Sequence, residues 1–252
     1  MQIPVSLIHF SPTGNSRTVA QTMAAAIGEV KDTLDLTMEA EPEKVCAAED
    51  FVIVAAPVYG GRVPQVAMER LARVRGTQTP CIVAVTFGNR DYDDALLELA
   101  DWAAAHGFVV KGACAVVGRH TFGEIATTRP DSADLAQCED FARRALAGAP
   151  LALETISGNR PYKEGGKGGK FRPTTTEACT HCGLCVRSCP VQAIAGDCCT
   201  IADTCISCFR CIRSCPVQAK ECVSEDYKAF APMFTQKLAA PQENKFFLQS
   251  QE

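Results

Sequence analysis

A repeated cysteine pattern places the strongest constraint on what this 252-residue chain can fold into. Two runs of the form C-x2-C-x2-C-x3-C-P begin at Cys179 and Cys205, and ten of the sixteen aligned positions are identical between the two copies. Three cysteines at two-residue gaps can surround one side of an iron–sulfur cube. The fourth thiolate must then come from elsewhere, because Pro190 and Pro216 cannot continue a helix and turn the chain away.

The cysteine pattern resembles that of the bacterial two-cluster ferredoxins over roughly residues 175–222. In those proteins the fourth cysteine of each run binds the other cluster. The resemblance implies two [4Fe–4S] clusters, one bound by Cys179, Cys182, Cys185 and Cys215 and the other by Cys205, Cys208, Cys211 and Cys189.

Two other uses of cysteine are weaker interpretations. Zinc sites usually take two C-x2-C pairs, without a third cysteine or a closing C-P. A disulfide framework needs an oxidising compartment, and the N-terminal sequence MQIPVSLIHF has neither the basic nor the long apolar region of a signal peptide. We expect the seven cysteines outside the runs to be small core hydrophobes. Free thiols and clusters together predict a reducing cytoplasm and an oxygen-poor habitat.

The remaining composition excludes some broad classes of protein. A net charge of −4 argues against a general nucleic-acid binder, which would carry a basic stripe. The longest apolar run, near residues 51–59, is too short to span a bilayer.

The first 150 residues alternate between strand-like and helix-like patterns. The predicted strands are residues 3–10, 30–38, 51–55, 80–87 and 108–117, and the predicted helices are residues 18–27, 91–106 and 131–146. This alternation predicts an α/β fold with a doubly wound, five-stranded parallel sheet. Ligands of such sheets bind beyond the carboxyl ends of the strands, so the loops at that edge form the candidate site.

The loop after the first predicted strand, Ser11–Ser16, offers hydroxyls, a glycine and backbone amides that lead into a helix. Such a loop can hold a phosphate without a basic side chain. It matches neither G-x-x-x-x-G-K-[ST] nor G-x-G-x-x-G, which disfavours ATP and dinucleotides. The loops after the third and fourth strands carry Tyr59 and Tyr92, which could sandwich a flat ring. The alternative is that Ser11–Ser16 only caps the helix and that the tyrosines are ordinary loop residues.

These loops resemble those of flavodoxins, whose phosphate motif [T/S]-x-T-G-x-[T/S] is met by Ser11, Thr13, Gly14 and Ser16. The resemblance implies bound FMN, with its phosphate at residues 11–16 and its ring near Tyr59 and Tyr92. The predicted flavin-binding residues are Ser11, Thr13, Gly14, Asn15, Ser16, Pro57, Val58, Tyr59, Gly60, Gly61, Phe87, Gly88, Asn89, Arg90 and Tyr92.

The whole chain resembles the flavodoxin–ferredoxin fusion proteins of anaerobic bacteria and archaea, the EFR1 family, which the segments at 88–96 (GNRDYDDAL) and 158–163 (GNRPYK) also resemble. We predict a flavodoxin-like FMN-binding domain over 1–154, a Gly-rich basic linker over 155–176, a smaller α+β ferredoxin module over 177–222 and a tail over 223–252.

The linker and the tail have opposite compositions. The glycines of the linker favour a flexible, solvated tether, with a docking strip for an acidic redox partner as the alternative. The tail is too apolar to stay free. We expect it to return to the first domain with Phe230, Phe234, Phe246 and Phe247 as anchors.

The leading functional hypothesis is an electron carrier between FMN, the two clusters and an unidentified redox partner protein. A flavin-dependent reductase of a quinone or other small acceptor is the alternative, and a redox sensor or scaffold is a third class. No catalytic residue is predicted, because His9, His106 and His120 form no motif for nucleophilic catalysis.

Overall fold

The computed structural model describes residues 3–38 and 43–249. The outermost residues of the predicted first domain and tail, 1–2 and 250–252, lie outside the described residues, as do residues 39–42.

The N-terminal domain alternates strands and helices along the chain. The elements are β1 Ile3–His9, α1 Asn15–Ile27, β2 Gly28–Asp35, β3 Lys44–Cys46, β4 Phe51–Pro57, α2 Gln65–Leu71, β5 Val74–Gly76, β6 Thr79–Phe87, α3 Ala95–Ala105, β7 Phe108–Val117 and α4 Ser132–Ala147. After a 3-10 turn at Leu153–Thr155, the C-terminal part contains β8 Thr174–Thr175, α5 Leu184–Arg187, α6 Arg210–Ser214, β9 Lys220–Glu221, α7 Glu225–Lys237 and β10 Lys245–Phe247.

The central sheet has the strand order β10-β7-β6-β4-β1-β2. Its strands from β7 to β2 run parallel, in the doubly wound order typical of flavodoxin-like folds. Helices α1 and α4 cover one face, and α2 and α3 cover the other. The middle strand β4, with the sequence FVIVAAP, is buried over its first six residues because helices lie on both of its faces. The predicted α/β class and parallel sheet are confirmed.

The sheet differs from the five-stranded prediction by one strand, which the tail supplies. Strand β10 pairs antiparallel with β7, with Phe246 opposite Cys114. Successive strand residues point to opposite faces of a sheet, so Phe246 contacts Phe141 of α4, with ring centroids 5.1 Å apart, while Phe247 packs against the core on the other face.

Helix α7 of the tail lies beside the loop that follows β7. Phe234 meets His120 edge-on with ring centroids 5.1 Å apart, and Phe230 meets Phe122 at 6.3 Å. The ring of Phe171, from the segment before the cysteine runs, joins the same aromatic group. This group brings together the first domain, the linker and the tail.

The Gly-rich linker differs from the solvated tether that its composition favours, because its backbone is hydrogen-bonded to the first domain. Asp94 accepts hydrogen bonds from the backbone N–H groups of Asn159 and Lys163, at 2.8 and 2.7 Å. The Gly166 N–H donates to the Tyr59 carbonyl at 2.9 Å, and the Gly166 carbonyl accepts from the Gln65 N–H at 3.1 Å. The prediction of a flexible, solvated tether was wrong. The hydrogen-bond partners of the linker lie in parts of the first domain that are distant from it in sequence, so the linker composition does not reveal them.

The cysteine-rich module follows the internal repeat. Strands β8 and β9 pair antiparallel at one end, and Ile194 bridges to Ile201 at the other. The small core consists largely of cysteines, with Ala193 and Ile194 among them. A module with so few large apolar residues gains much of its cohesion from whatever its cysteines bind.

Candidate functional site

The loop between β1 and α1 has the geometry of an anion-binding turn. Gly14 precedes the helix with φ +97°, a left-handed conformation that favours glycine. The first N–H groups of a helix have no acceptor within it, so those of Asn15 and Ser16 at the start of α1 can bind an anion.

Hydroxyl groups fix this loop to its neighbours. The Ser11 N–H donates to the Thr37 hydroxyl at 2.7 Å, and the Ser11 hydroxyl accepts from the Arg17 N–H at 3.0 Å. The Ser16 hydroxyl shares a buried hydrogen bond of 2.7 Å with Thr86 of β6. The loop is therefore held in position before any ligand is bound, which lowers the entropic cost of binding.

A cleft of about 620 Å³ opens beside the loop. Its walls come from the loops after β1, β4, β6 and β7, from residues 164–170 of the linker, and from Ile206 and Ser207 of the second cysteine run. A cleft of this size falls in the range that binds small ligands and cofactors.

The groups around the cleft fit an anionic ligand with a flat ring, such as FMN. The Arg119 Nε is buried and has no acceptor among the described residues. Tyr59 and Phe122 supply aromatic surface, and Lys167 and Lys170 add positive charge. Residues 11–16 would hold the phosphate and Arg119 would donate to an oxygen of the ligand.

Ten of the predicted flavin-binding residues line this cleft, namely Ser11, Thr13, Asn15, Ser16, Pro57, Val58, Tyr59, Gly60, Phe87 and Gly88. Gly14 and Gly61 instead shape the adjoining turns. Gly61 has φ +87°, and a Cβ there would lie 2.2 Å from Oδ2 of Asp93.

Asn89, Arg90 and Tyr92 do not line the cleft, and their predicted place at the flavin stays a prediction. The chain turns at Asn89, with φ +60°, and its side chain binds the tail through the Leu238 carbonyl at 2.8 Å and two further backbone groups. Tyr92 lies edge-on to Phe87 with centroids 5.6 Å apart and lines a neighbouring cleft together with Arg90.

The sequence analysis missed the loop after β7, which contributes Arg119, His120 and Phe122 to the cleft. The rule that ligands bind at the carboxyl ends of parallel strands could have found it. Burial lowers the pKa of His120 to about 4, so its ring is neutral near pH 7. Gly88 is required beside it, because a Cβ there would lie 2.2 Å from the His120 ring.

The eight cysteines of the two runs line two separate small cavities, which we call cage I and cage II. Cage I contains Cys179, Cys182, Cys185 and Cys215, and cage II contains Cys189, Cys205, Cys208 and Cys211. Each cage takes three cysteines from one run and the fourth from the other. Among the described residues, no three His, Cys, Asp or Glu side chains converge as they would on a single metal ion.

Backbone N–H groups point at several of these sulfurs. The Ala193 N–H donates to Cys189 Sγ at 3.3 Å and the Ala219 N–H to Cys215 Sγ at 3.2 Å. Burial raises the pKa of the Cys208 and Cys211 thiols to about 12. A cluster bound in cage II would displace protons from these two thiols, and the N–H groups of Ala193 and Ala219 would stabilise the sulfurs of Cys189 and Cys215.

Cage II lies next to the cleft. Ile206 and Ser207, which lie between Cys205 and Cys208 of cage II in the sequence, form part of the cleft wall. Tyr59 lines the cleft and lies near Cys208 and Cys205 of cage II. Burial, followed by the nearby sulfur of Cys208, raises the pKa of Tyr59 well above its ordinary value, so the phenol is protonated at neutral pH.

The cysteines outside the runs occupy different surroundings. Cys46, Cys81, Cys114 and Cys138 are buried in the first domain. Cys198 is also buried and lines cage I, whereas Cys222 is half-buried and Cys199 is exposed, so the expected core position was wrong for Cys199.

Comparison with known proteins agrees with this division of the chain. Two 4Fe-4S binding domain models match residues 174–195 and 202–218. No curated protein matches the chain.

Solved structures are similar to the N-terminal part. The rubredoxin oxygen:oxidoreductase of Desulfovibrio gigas is 18% identical, with a TM-score of 0.43, over 57% of this chain and 35% of that one. Flavodoxin 2 of Bacillus cereus is 14% identical, with a TM-score of 0.42, over 57% and 97%. A flavodoxin of Streptococcus pneumoniae is 21% identical, with a TM-score of 0.40, over 57% and 98%. The chain spans about a third of the length of the first of these.

The strand order and the matched domains together define the class. The chain joins a flavodoxin-like domain to a ferredoxin module with two 4Fe-4S binding domains, as predicted. Its narrower assignment to the EFR1 family stays a prediction. No helix within the described residues is long and apolar enough to cross a membrane.

Proposed function

We propose that this protein carries electrons between a bound FMN and two [4Fe–4S] clusters, to or from a redox partner protein. The observation that carries the proposal is the shared wall between the two sites. Ile206 and Ser207 lie between two ligands of cage II and also line the cleft of the phosphate loop. This shared wall supports the proposal, because a cluster in cage II and a flavin in the cleft would then be neighbours, as exchange between them requires.

The two cofactors have complementary chemistry. When bound, FMN takes up electrons in pairs and gives them up singly, whereas each cluster carries one electron. The protein residues position the two groups. Residues 11–16 hold the phosphate, Tyr59 fills the space towards cage II, and the linker residues Gly165–Lys170 reduce the access of water to the cleft.

The same geometry supports different tasks for the two cages. Cage II adjoins the cleft, whereas none of the ligands of cage I lines it. Cys182 of cage I is exposed, and Leu184 and Val217 beside it are 36% and 42% exposed. A partner protein can approach cage I over this apolar surface, while cage II serves the flavin.

Anaerobic purification followed by iron, sulfide and flavin analysis tests the proposal. We expect FMN and two [4Fe–4S] clusters, and rapid equilibration between flavin and cluster absorbance after flash or stopped-flow reduction. Absence of bound flavin, or flavin and clusters that do not exchange electrons, would refute the proposal.

A separate measurement distinguishes the carrier from a flavin-dependent reductase. Steady turnover of quinones or other small acceptors by the loaded protein alone would identify a reductase. Fast exchange with a redox protein without such turnover supports the carrier.

A further inference from the structure

The internal repeat breaks its own pattern at one position next to the cages. The two runs share the sequence SCPVQA, which Ile194 follows in the first run and Lys220 in the second. The structure places these two residues in equivalent positions, because Ile194 lines cage II and Lys220 lines cage I. An ammonium group therefore stands at cage I where cage II has an aliphatic side chain.

Lys220 is buried, with 3% of its surface exposed. Its Nζ donates to the Thr175 hydroxyl at 2.7 Å and to the Cys198 carbonyl. Thr175 faces Lys220 in the β8–β9 pair, whereas the equivalent partner of Ile194 is Ile201. Both members of the pair therefore differ between the two copies: two aliphatic residues at cage II, and an ammonium group with its hydrogen-bond acceptor at cage I.

The acceptors of Lys220 are neutral, and the ion pairs of the described residues do not include it. Burying a charge is costly unless an opposite charge compensates it. Lys220 lines the cavity of cage I, where the thiolates of a bound cluster would supply negative charge, and its charge also acts on the exposed carboxylate of Asp197. A [4Fe–4S] cluster with four thiolates is an anion, and its reduction adds a further negative charge.

We propose that Lys220 is the counter-charge of the cluster in cage I and raises the reduction potential of that cluster. A buried cation favours the more negative, reduced form, and the local charge around a cluster is one of the factors that set its potential. The inference depends on the proposed function only in that cage I holds a cluster.

Cage II has a basic residue of its own, which differs in position and exposure. Arg210 lines cage II, but it is partly exposed and its guanidinium reaches away to the Pro12 carbonyl at 3.0 Å. Solvent and salt screen such a charge more strongly than a buried one. Lys220 is buried and lines cage I directly, so its effect is expected to be larger there, although its charge also reaches Cys205 and Cys211 of cage II.

The decisive test is Lys220→Ile, which gives cage I the residue that cage II carries. EPR-monitored potentiometric titration of the purified protein should show one cluster midpoint moved to a more negative value and the other moved less. Lys220→Arg, which keeps the charge, should keep the midpoint close to that of the wild type. Lys228→Ile makes the same change at an exposed position on α7 and should move neither midpoint.

An unchanged pair of midpoints in Lys220→Ile, with both clusters present, would overturn the inference. An equal shift in Lys228→Ile would also overturn it, since net charge alone would then explain the effect. If Lys220→Ile loses its clusters, Lys220→Met keeps the length of the side chain and gives the same comparison. The cluster titrations do not need flavin, so failure of the proposed flavin–cluster exchange would be seen separately.

Discussion

Arg210 of the second cysteine run donates a hydrogen bond from its guanidinium to the Pro12 carbonyl in the phosphate loop, at 3.0 Å. Two other arginines span the same boundary. Arg213 donates to the His120 carbonyl at 2.7 Å, and Arg70 of the first domain donates to the Pro190 carbonyl at 2.6 Å. These bonds join the cysteine module directly to the loops of the cleft, so the distance between the two sites does not depend on the glycines of the linker.

The grouping of the cysteines predicts which cluster each fourth ligand serves. Cys189→Ser should damage the cluster of cage II, which holds Cys205, Cys208 and Cys211, although Cys189 belongs to the first run. Cys215→Ser should damage the cluster of cage I. EPR spectra of the two variants, compared with the wild type, check this. Loss of the cluster of its own run in each variant would show that the assignment is wrong.

The phosphate loop predicts FMN rather than FAD or riboflavin. Replacing Thr13 by Val together with Ser16 by Ala removes two hydroxyls from the loop. Hydrogen bonds to charged groups contribute about 1.5–3 kcal/mol each, so FMN affinity should fall by roughly a hundredfold or more.

Affinity can be measured by fluorescence titration of the flavin-free protein. Thr121→Val, which changes a threonine elsewhere on the cleft wall, is the control. FMN affinity equal to that of the wild type in the double variant, or FAD released from the wild type on denaturation, would contradict the prediction.

Asn89 is predicted to hold the tail in place. Its side chain makes three hydrogen bonds to the backbone of residues 238–242, each contributing about 0.5–1.5 kcal/mol. Asn89→Ala should increase hydrogen exchange across residues 238–247 and slow flavin–cluster equilibration, with both cofactors still bound. Arg90→Ala, which removes an exposed ion pair at the next position, should do neither. If hydrogen exchange across residues 238–247 is the same in Asn89→Ala as in the wild type, the aromatic contacts of α7 hold the tail in place instead of Asn89.

Asp94 is predicted to dock the linker in a pH-dependent way. Burial raises the pKa of this carboxyl, but hydrogen bonds from Lys163 and Asn159 outweigh it and hold the pKa below the ordinary value of 3.8. A lowered pKa means that the carboxylate stabilises the docked linker above about pH 3.8, and that this contribution is lost as the pH falls through the lower value.

Asp94→Asn should therefore loosen the linker at neutral pH, because an amide presents N–H groups to buried donors at a cost of about 1–3 kcal/mol. Limited trypsin digestion after Lys163, Lys167 and Lys170 should become faster by roughly tenfold or more. Asp91→Asn, at an exposed neighbouring position, is the control. Equal digestion of the two variants would count against docking by Asp94.

The sequence alone determined the elements whose signals are local. The apolar strand at 51–57 and the alternation of strands and helices indicated a doubly wound sheet, because a strand covered by helices on both faces must be apolar throughout. The spacing of the cysteines indicated the clusters, since the positions of the ligands around a cube are encoded in the short gaps between them. The motif at residues 11–16 indicated the phosphate-binding end of the cleft, because its hydroxyls, its glycine and the start of the helix follow one another directly in the sequence.

Only the tertiary structure decided where the remaining segments lie. Residues 165–170, Ile206 and Ser207 reach the cleft from parts of the chain that carry no cofactor motif, and Asn89 and Tyr92 leave it because the loop turns towards the tail. The buried Lys220 illustrates the same division. The sequence shows a lysine at the position where the first cysteine run has Ile194. The burial of Lys220 beside cage I, however, follows from the pairing of β9 with β8. Such contacts depend on which segments, distant in sequence, form hydrogen bonds and apolar packing with one another. No local sequence pattern specifies them.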